Sequence, residues 1–232
     1  MNAKLALYWN DFLDILFPRC CEACETALLG NEKLICTACR ISLPRIDAGF
    51  QKDVLRGKFA GNSEVQEVFA FLAFTKKGRV QHLLQALKYK GVPEVGILLG
   101  TMMVQEMQER KCFPEADLIL SVPLHPKRKA ERGYNQSDAF AEGLSEISGV
   151  PWSGVVLQRT VYTKTQTGKS KIERRETMQG VFAVNSPESV AGKKIILVDD
   201  VLTTGATLQG CIDVLIESGC RSLYIMTLAA AQ

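Results

Sequence analysis

Two adjacent carboxylates and the threonine-rich loop after them carry the clearest chemical signal in this chain. Residues 193 to 208 read KKIILVDDVLTTGATL, so an apolar run ends at Asp199 and Asp200 and small hydroxyl residues follow. Adjacent carboxylates repel each other and need a cation, hydroxyl donors or solvent nearby. A loop of small residues exposes backbone N–H groups that bind anions. A ligand with hydroxyls beside a phosphate, such as a ribose 5-phosphate, satisfies both halves, with the carboxylates taking the hydroxyls directly or through a magnesium shell.

Two other phosphate-binding motifs do not fit the chain. A Walker loop ending in the GKS of residues 168 to 170 requires glycine at position 163, where the chain has Thr163. No G-x-G-x-x-G follows a predicted strand. An Asp-Asp pair alone is typical of a solvated turn with a helix cap. The order of apolar strand, Asp-Asp and Thr-Thr-Gly-x-Thr favours a ligand site over that interpretation.

A second chemical signal is a run of cysteines near the N-terminus. Cys21 and Cys24 form one C-x-x-C pair and Cys36 and Cys39 form another, with eleven residues between the pairs. Four thiolates so spaced can surround one zinc ion, and a site filled by sulfur is structural. Cys20 could replace Cys21, so the first ligand is open. Disulfides are disfavoured inside a cell, and scattered free thiols are disfavoured by the paired spacing. The isolated cysteines are expected to be buried apolar side chains: Cys112, Cys211 and Cys220.

Strands alternating with helices must position these residues. Apolar runs predict strands at 68–74, 116–124, 154–159, 193–200 and 222–231, and helical periodicity predicts helices at 78–90, 94–110, 136–148 and 206–219. Asn135 is expected to cap the third helix and Gly219 to end the last. This alternation predicts an α/β fold with a mainly parallel sheet. Ligands of such sheets bind beyond the carboxyl ends of the strands, where helix N-termini attract phosphate.

The 232 residues fit one large domain, or one domain and a small module. Residues 1–55 are predicted to form an amphipathic helix and the zinc module, and residues 56–232 the α/β domain. The first segment could suggest a signal peptide, but Asp11 and Asp14 interrupt it and no small-residue cleavage site follows. Its apolar side chains recur at helical spacing instead: Leu5, Trp9, Phe12, Leu16 and Phe17. No apolar run approaches the ~20 residues that span a bilayer, so we expect a cytoplasmic protein.

Positive charge is concentrated in two stretches. Residues 123 to 135 hold four basic side chains against one acidic, and residues 159 to 175 hold six against one, although the net charge is only +3. This distribution favours focused attraction of a polyanion, and the alternative is two solvated loops. Lys88 and Lys90 are interpreted as basic residues at a helix end, a placement that the helix dipole favours over a ligand contact.

The DD-containing segment resembles the phosphoribosyl-diphosphate motif of type I phosphoribosyltransferases. Three further stretches are similar to the ComF family of competence-associated proteins: LDILFPRCCEAC, SVPLHPKRKAERGYNQ and RTVYTKTQTGKSKIERRETMQGVF. The resemblance covers nearly the whole chain, and the motifs follow the family's order. The doubled Cys20–Cys21 departs slightly from the family pattern.

The resemblance implies roles for individual residues. Asp199 and Asp200 would be the catalytic pair that holds the ribose hydroxyls, with magnesium nearby. The 5-phosphate would be wrapped by Val201, Thr203, Thr204, Gly205, Ala206 and Thr207. The diphosphate would be bound by Pro123, Leu124, His125, Lys127, Arg128 and Arg132, although a structural role for His125 is an open alternative. A mobile flap would contain Gln166, Thr167, Gly168, Lys169, Arg174 and Arg175.

Three functions follow from the resemblance. The first is magnesium-dependent binding of phosphoribosyl diphosphate, with transfer of its phosphoribose to a nitrogenous acceptor, in DNA uptake or nucleotide metabolism. The second is a non-catalytic sensor of phosphoribosyl diphosphate or a nucleotide. The third is a single-stranded DNA-binding component of the competence machinery, with a competence helicase as partner. The carboxylate pair favours the first two, because carboxylates repel a DNA backbone.

Overall fold

The computed structural model describes residues 18–159 and 180–231, and a parallel sheet with helices on both faces organises them. The strands are β1 (Val65–Phe74), β2 (Leu118–Ser121), β3 (Trp152–Ser153), β4 (Leu157–Arg159), β5 (Phe182–Val184), β6 (Lys194–Leu202) and β7 (Ser222–Ala231). Five of them form one sheet in the order β1-β7-β6-β2-β3, and every neighbouring pair is parallel. Strands β4 and β5 form a separate antiparallel pair.

The helices cover both faces of this sheet. They are α1 (Thr37–Ser42), α2 (Ala48–Phe50), α3 (Arg79–Gln85), α4 (Glu94–Glu109), α5 (Pro126–Arg132), α6 (Gln136–Ser148) and α7 (Ala206–Glu217). A π-helical turn over Gln51–Leu55 and a 3₁₀ turn over Arg56–Phe59 continue α2, a π-helical turn over Ala86–Lys90 continues α3, and a 3₁₀ turn spans Pro187–Ser189. None of the helices within 18–159 and 180–231 is long and apolar enough to cross a membrane.

The strand order creates a crevice between β2 and β6. From β2 the chain passes through α5 and α6 to β3 on one side, whereas from β6 it passes through α7 to β7 on the other. The loops that leave β2 and β6 therefore diverge, and such a switch point is where open α/β sheets bind ligands. Strand β2 ends at Ser121, in register with Val198, so Asp199 and Asp200 are the first residues of β6 beyond the end of β2.

Two apolar layers hold the sheet, one on each face. One layer joins α3, α4 and α6 to the sheet and includes the buried Cys21 and Cys39 of the N-terminal module. The other joins α7 to the sheet and includes Leu55 and Phe59 from the helical segment after α2. Helices α4 and α6 can approach closely because Gly143 has no side chain. A Cβ at this position would lie 2.1 Å from the Ile97 carbonyl oxygen.

Most predicted elements are confirmed, with changes at their boundaries. The strand at 68–74 begins earlier, at Val65, and the predicted strands at 116–124 and 154–159 shorten to β2 and β4. Residues 48–59, over which no element was predicted, form α2 and its extensions, because Leu55 and Phe59 bury their side chains against the sheet. The predicted amphipathic helix within residues 1–17 and the flap residues 166–175 lie outside the described residues.

Candidate active site

The carboxylate pair lies at the carboxyl end of β6, in the crevice. The last residues of this strand are Asp199 to Leu202, and a loop of three residues then leads into α7. A shallow cleft lies against this loop. It is lined by Asp199, Val201, Leu202, Thr203, Thr204, Gly205, Ala206, Thr207 and Leu208. The structure thus brings Asp199 and the whole predicted phosphate loop to one cleft, and Asp200 follows Asp199 on β6 without lining that cleft.

The two carboxylates have different partners. Asp199 Oδ1 accepts hydrogen bonds from the Ser137 hydroxyl at 3.1 Å and from the Asp200 N–H at 2.9 Å. Asp200 Oδ2 forms an ion pair with Lys88 Nζ at 2.8 Å. Burial, and then the charge of Asp200, raise the pKa of Asp199 to about 7. The pair therefore consists of an Asp200 held by Lys88 and an Asp199 that titrates near neutral pH.

The loop after the carboxylates is shaped by one glycine. Gly205 has φ +82° and caps the N-terminus of α7, and a Cβ there would lie 2.9 Å from Cζ of the buried Phe59. Lys58 Nζ donates to the Thr203 carbonyl at 2.9 Å, which fixes the other end of the loop. The first residues of α7 line the cleft, where the helix dipole favours an anion.

The loop that leaves β2 becomes α5 and brings the first basic stretch to the crevice. His125 caps α5, and its Nδ1 accepts from the Lys127 N–H at 3.1 Å. Pro126 occupies the first helical position and Gly133 ends the helix with φ +82°. Thus the structure gives His125 a capping role, which is the structural alternative left open from the sequence. Lys127 and Arg128 lie in the first turn of this helix.

The connection from α5 to α6 is tied to β2 and to α3. Asn135 caps α6 and donates to the Val122 carbonyl at 3.1 Å, as predicted for the cap. The Tyr134 hydroxyl donates to the Leu87 carbonyl. The Arg132 guanidinium lies 5.5 Å from the centre of the Tyr89 ring and donates to Gln136 Oε1 at 2.7 Å. These contacts hold the basic stretch beside the carboxylate pair.

The second basic stretch enters the described structure only at its first residue. Arg159 ends β4, and its guanidinium lies 5.4 Å from the centre of the Phe182 ring. Burial lowers its pKa, and the charge of Arg128 lowers it further, whereas Asp199 raises it. Arg159 therefore lies close enough to Arg128 and Asp199 for their charges to shift its pKa. The remaining residues of the stretch, with the predicted flap, lie outside the described residues.

The four predicted ligand cysteines converge on the face of the sheet that α3, α4 and α6 cover. The Sγ atoms of Cys21, Cys24, Cys36 and Cys39 all lie within 4.8 Å of one another. Tetrahedral zinc with Zn–S distances of about 2.3 Å separates its sulfurs by about 3.8 Å, and the Cys24 and Cys36 sulfurs are 3.7 Å apart. The donor set therefore fits zinc and could hold such a metal. Cys20 lies outside this group, exposed, with its Sγ 3.4 Å from the Pro18 carbonyl oxygen.

Backbone and hydroxyl donors surround the sulfurs. The Cys36 N–H donates to Cys21 Sγ at 3.3 Å, and the Cys39 N–H donates to Cys36 Sγ at 3.4 Å. Hydrogen bonding from Thr26, whose hydroxyl lies 3.0 Å from Cys24 Sγ, lowers the pKa of Cys24 to about 6. Burial raises the pKa of Cys39. Of the three isolated cysteines, Cys211 and Cys220 are buried as predicted, but Cys112 follows the end of α4 and is exposed, so that prediction is wrong.

Two residues at the carboxylate pair were not predicted to be there. Lys88 was interpreted as a basic residue at a helix end, favoured there by the helix dipole, and no local pattern links it to Asp200. Ser137 is buried and directly follows the first residue of α6, so its place beside a predicted cap was the available signal. Helix α5 was also missed, although Pro126 and Gly133 are a start and a stop signal at helical spacing.

Comparisons with known proteins agree with this geometry. A model of the phosphoribosyl transferase domain matches residues 135–232. The Salmonella typhi protein named DNA utilization protein YhgH is 32% identical over 149 residues, which are 63% of this chain and 65% of that protein. Competence protein F of Haemophilus influenzae is 35% identical over 155 residues, 64% of this chain and 67% of that protein. The chain thus spans about two thirds of the length of each of these two relatives.

Solved structures give a weaker likeness. A glutamine phosphoribosylpyrophosphate amidotransferase from B. subtilis, complexed with ADP and GMP, matches with 23% identity and a TM-score of 0.41 over 59% of this chain and 26% of that one. The matching domain model and the parallel sheet with its strand–loop–helix define the class, an α/β domain of the type I phosphoribosyltransferase-like fold. Within that class, the chain belongs to the ComF family.

Proposed function

We propose that this protein binds magnesium phosphoribosyl diphosphate in the crevice and transfers its phosphoribose to a nitrogenous acceptor. One observation carries the proposal. The carboxylate pair and the anion-binding loop are contiguous at the end of β6, at the switch point of the sheet, with a basic helix on the neighbouring strand end. Phosphoribosyl diphosphate carries ribose hydroxyls, a 5-phosphate and a diphosphate, which match the carboxylates, the loop and the basic helix respectively.

Each part of the ligand has a matching group in the crevice. The carboxylates of Asp199 and Asp200 would accept hydrogen bonds from the ribose hydroxyls. The 5-phosphate would sit on the N–H groups of Thr203 to Thr207 at the start of α7, where Gly205 lets the backbone turn. The diphosphate would extend toward the basic residues of α5 and Arg132.

The reaction is a substitution at C1 of the ribose. The bond from C1 to the diphosphate oxygen breaks with its electron pair, a bond to the acceptor nitrogen forms, and the nitrogen releases a proton. Positive charge develops on the sugar, beside the Asp pair, and negative charge on the departing diphosphate, beside the basic residues. Magnesium would be held mainly by the oxygens of the ligand itself, beside the paired carboxylates, and it would neutralise the diphosphate.

The cysteine cluster is proposed to hold one structural zinc ion. Its support is the convergence of four sulfurs at tetrahedral spacing, together with the N–H groups that Cys36 and Cys39 direct at sulfur. Four protein ligands leave no position for a substrate. We also propose that residues 1–55 form the module and residues 56–232 the transferase domain. Because Cys21 and Cys39 belong to the same apolar layer as α4, zinc would stabilise that side of the domain.

The names of the relatives support a biological process in which the protein acts. Those proteins are called DNA utilization and competence proteins. We propose that this chain is a phosphoribosyltransferase-like protein that acts in the cytoplasm in competence or in the use of DNA taken up. Direct contact with single-stranded DNA or with a helicase is a separate expectation from the family resemblance, which a salt titration of DNA affinity would test.

A diphosphate-release assay tests the transferase proposal. The protein is mixed with magnesium phosphoribosyl diphosphate and a panel of purine, pyrimidine and amine acceptors, and released diphosphate is measured. Asp53→Asn, at an exposed acidic position on the turn after α2, is the control for Asp200→Asn. Acceptor-dependent release that Asp200→Asn abolishes and Asp53→Asn preserves is the expected result. Binding of phosphoribosyl diphosphate without release of diphosphate would favour the non-catalytic sensor over the transferase. Absence of both binding and release would contradict both functions.

A further inference from the structure

The ion pair between Lys88 and Asp200 is the least expected contact of the carboxylate pair. The Nζ–Oδ2 distance is 2.8 Å, and the side chains of Lys88 and Asp200 are 22% and 18% exposed. Exposed ion pairs contribute little, but a half-buried pair at this distance is shielded from water and salt. The contact also joins elements that are far apart in the chain, since Lys88 lies in the π-helical turn after α3 and Asp200 in β6.

The turn that carries Lys88 is held from several sides. The Tyr134 hydroxyl donates to the Leu87 carbonyl, and the Arg132 guanidinium packs over the Tyr89 ring. Leu87 is fully buried, and Gly91 ends the turn in the left-handed conformation with φ +72°. π-Helical turns are rare and frequently occur at functional sites. The backbone is therefore fixed on both sides of Lys88, and its side chain is directed to Asp200.

Lys90, on the same turn, shows what a merely solvated lysine at this helix end does. Its side chain is 53% exposed and reaches Glu22 at 3.4 Å, in the cysteine module. Both lysines carry the same charge and lie at the same negative end of the helix dipole. Only the contact of Lys88 reaches the predicted ribose site. A dipole effect alone does not account for that difference.

We infer that Lys88 is a positioning residue, which holds the Asp200 carboxylate in place, facing the hydroxyls of the bound ribose. This inference rests on the proposed function. Two adjacent carboxylates turn away from each other or share a proton unless a cation separates their charges. Lys88 supplies that cation from the turn after α3, whereas Ser137 of α6 orients Asp199 by a hydrogen bond. Both acceptors are thereby set before the ligand arrives.

Calorimetric titration with three probes tests the inference. The probes are phosphoribosyl diphosphate, ribose 5-phosphate and inorganic diphosphate, each with magnesium, and the proteins are the wild type, Lys88→Met, Lys88→Arg and Lys90→Met. Methionine keeps much of the apolar stem of lysine, and Lys90→Met removes the same charge from the same turn. Thermal unfolding of each variant checks its fold.

The expected result is specific to the sugar. Lys88→Met should weaken the two ribose-containing probes by about tenfold or more, the usual cost of removing a hydrogen bond to a charged group. Its affinity for inorganic diphosphate should stay unchanged. Lys88→Arg should restore most of the ribose affinity, and Lys90→Met should bind all three probes like the wild type.

Other results would overturn the inference in distinguishable ways. Equal losses for diphosphate and ribose 5-phosphate would mean that Lys88 contacts the diphosphate or supports the fold generally. Equal losses of affinity in Lys88→Met and Lys90→Met would mean that the positive charge of the turn matters and the contact with Asp200 does not. If the wild type binds none of the three probes, the proposed function fails, and the inference fails with it.

Discussion

Replacing Gly205 by alanine should destabilise the site in two separable ways. The residue has φ +82° and ψ 0°, a conformation that costs a residue with a Cβ about 1–2 kcal/mol. The added methyl group would also lie 2.9 Å from Cζ and 3.2 Å from Cε1 of Phe59, whose side chain is 1% exposed. Overpacking against a buried ring costs about 1–3 kcal/mol. We therefore expect Gly205→Ala to lower the free energy of unfolding by about 2–5 kcal/mol.

Gly149→Ala separates the two contributions. Gly149 ends α6 with φ +73° and ψ −1°, nearly the same conformation, and a Cβ there meets no atom within 4 Å. Denaturant unfolding of the two variants should therefore give the smaller loss, about 1–2 kcal/mol, for Gly149→Ala. The difference between the variants measures the contact with Phe59. Equal losses would refute the argument that Phe59 and Gly205 together shape the phosphate loop.

Two further predictions concern the titrating groups of the site and of the cysteine cluster. The pKa of Asp199 is raised from 3.8 to about 7, so the folded chain holds a proton that the unfolded chain has released, and the free energy of unfolding should fall as pH rises across that interval. Unfolding midpoints at several pH values should show this slope in the wild type and a shallower one in Asp199→Asn; parallel curves would contradict it. Zinc analysis after dialysis should find one equivalent in the wild type and in Cys20→Ser but much less in Cys21→Ser, because only the Cys21 sulfur lies in the cluster. Metal loss in Cys20→Ser alone would reverse that ligand assignment.

Local patterns were sufficient for the parts of the molecule that depend on neighbours in the chain. The apolar run that ends at Asp199 and Asp200 predicted a buried parallel strand, and β6 confirms it. Asn135 caps α6 as expected, because a capping side chain bonds within its own turn. The paired cysteine spacing predicted a cluster of four sulfurs, which the fold brings together.

Contacts between distant segments could not be predicted in the same way. The ion pair of Lys88 requires α3, its π-helical turn and β6 to be in place, and the local sequence around Lys88 indicates only a basic helix end. Ser137 reaches Asp199 for a similar reason, since α6 must pack against β6 first. No helix was predicted over residues 48–59 because they show little periodicity, and the burial of Leu55 and Phe59 that anchors them depends on the distant sheet.

Calorimetric titration with phosphoribosyl diphosphate, with and without magnesium, tests the central claim most directly. The wild type should bind the ligand only weakly without magnesium and much more tightly with it. The Asp199→Asn, Asp200→Asn double variant should lose that binding while still unfolding in one cooperative thermal transition, which shows that it is folded. Absence of binding to a folded wild-type protein, or unchanged affinity in the folded double variant, would contradict the proposed site.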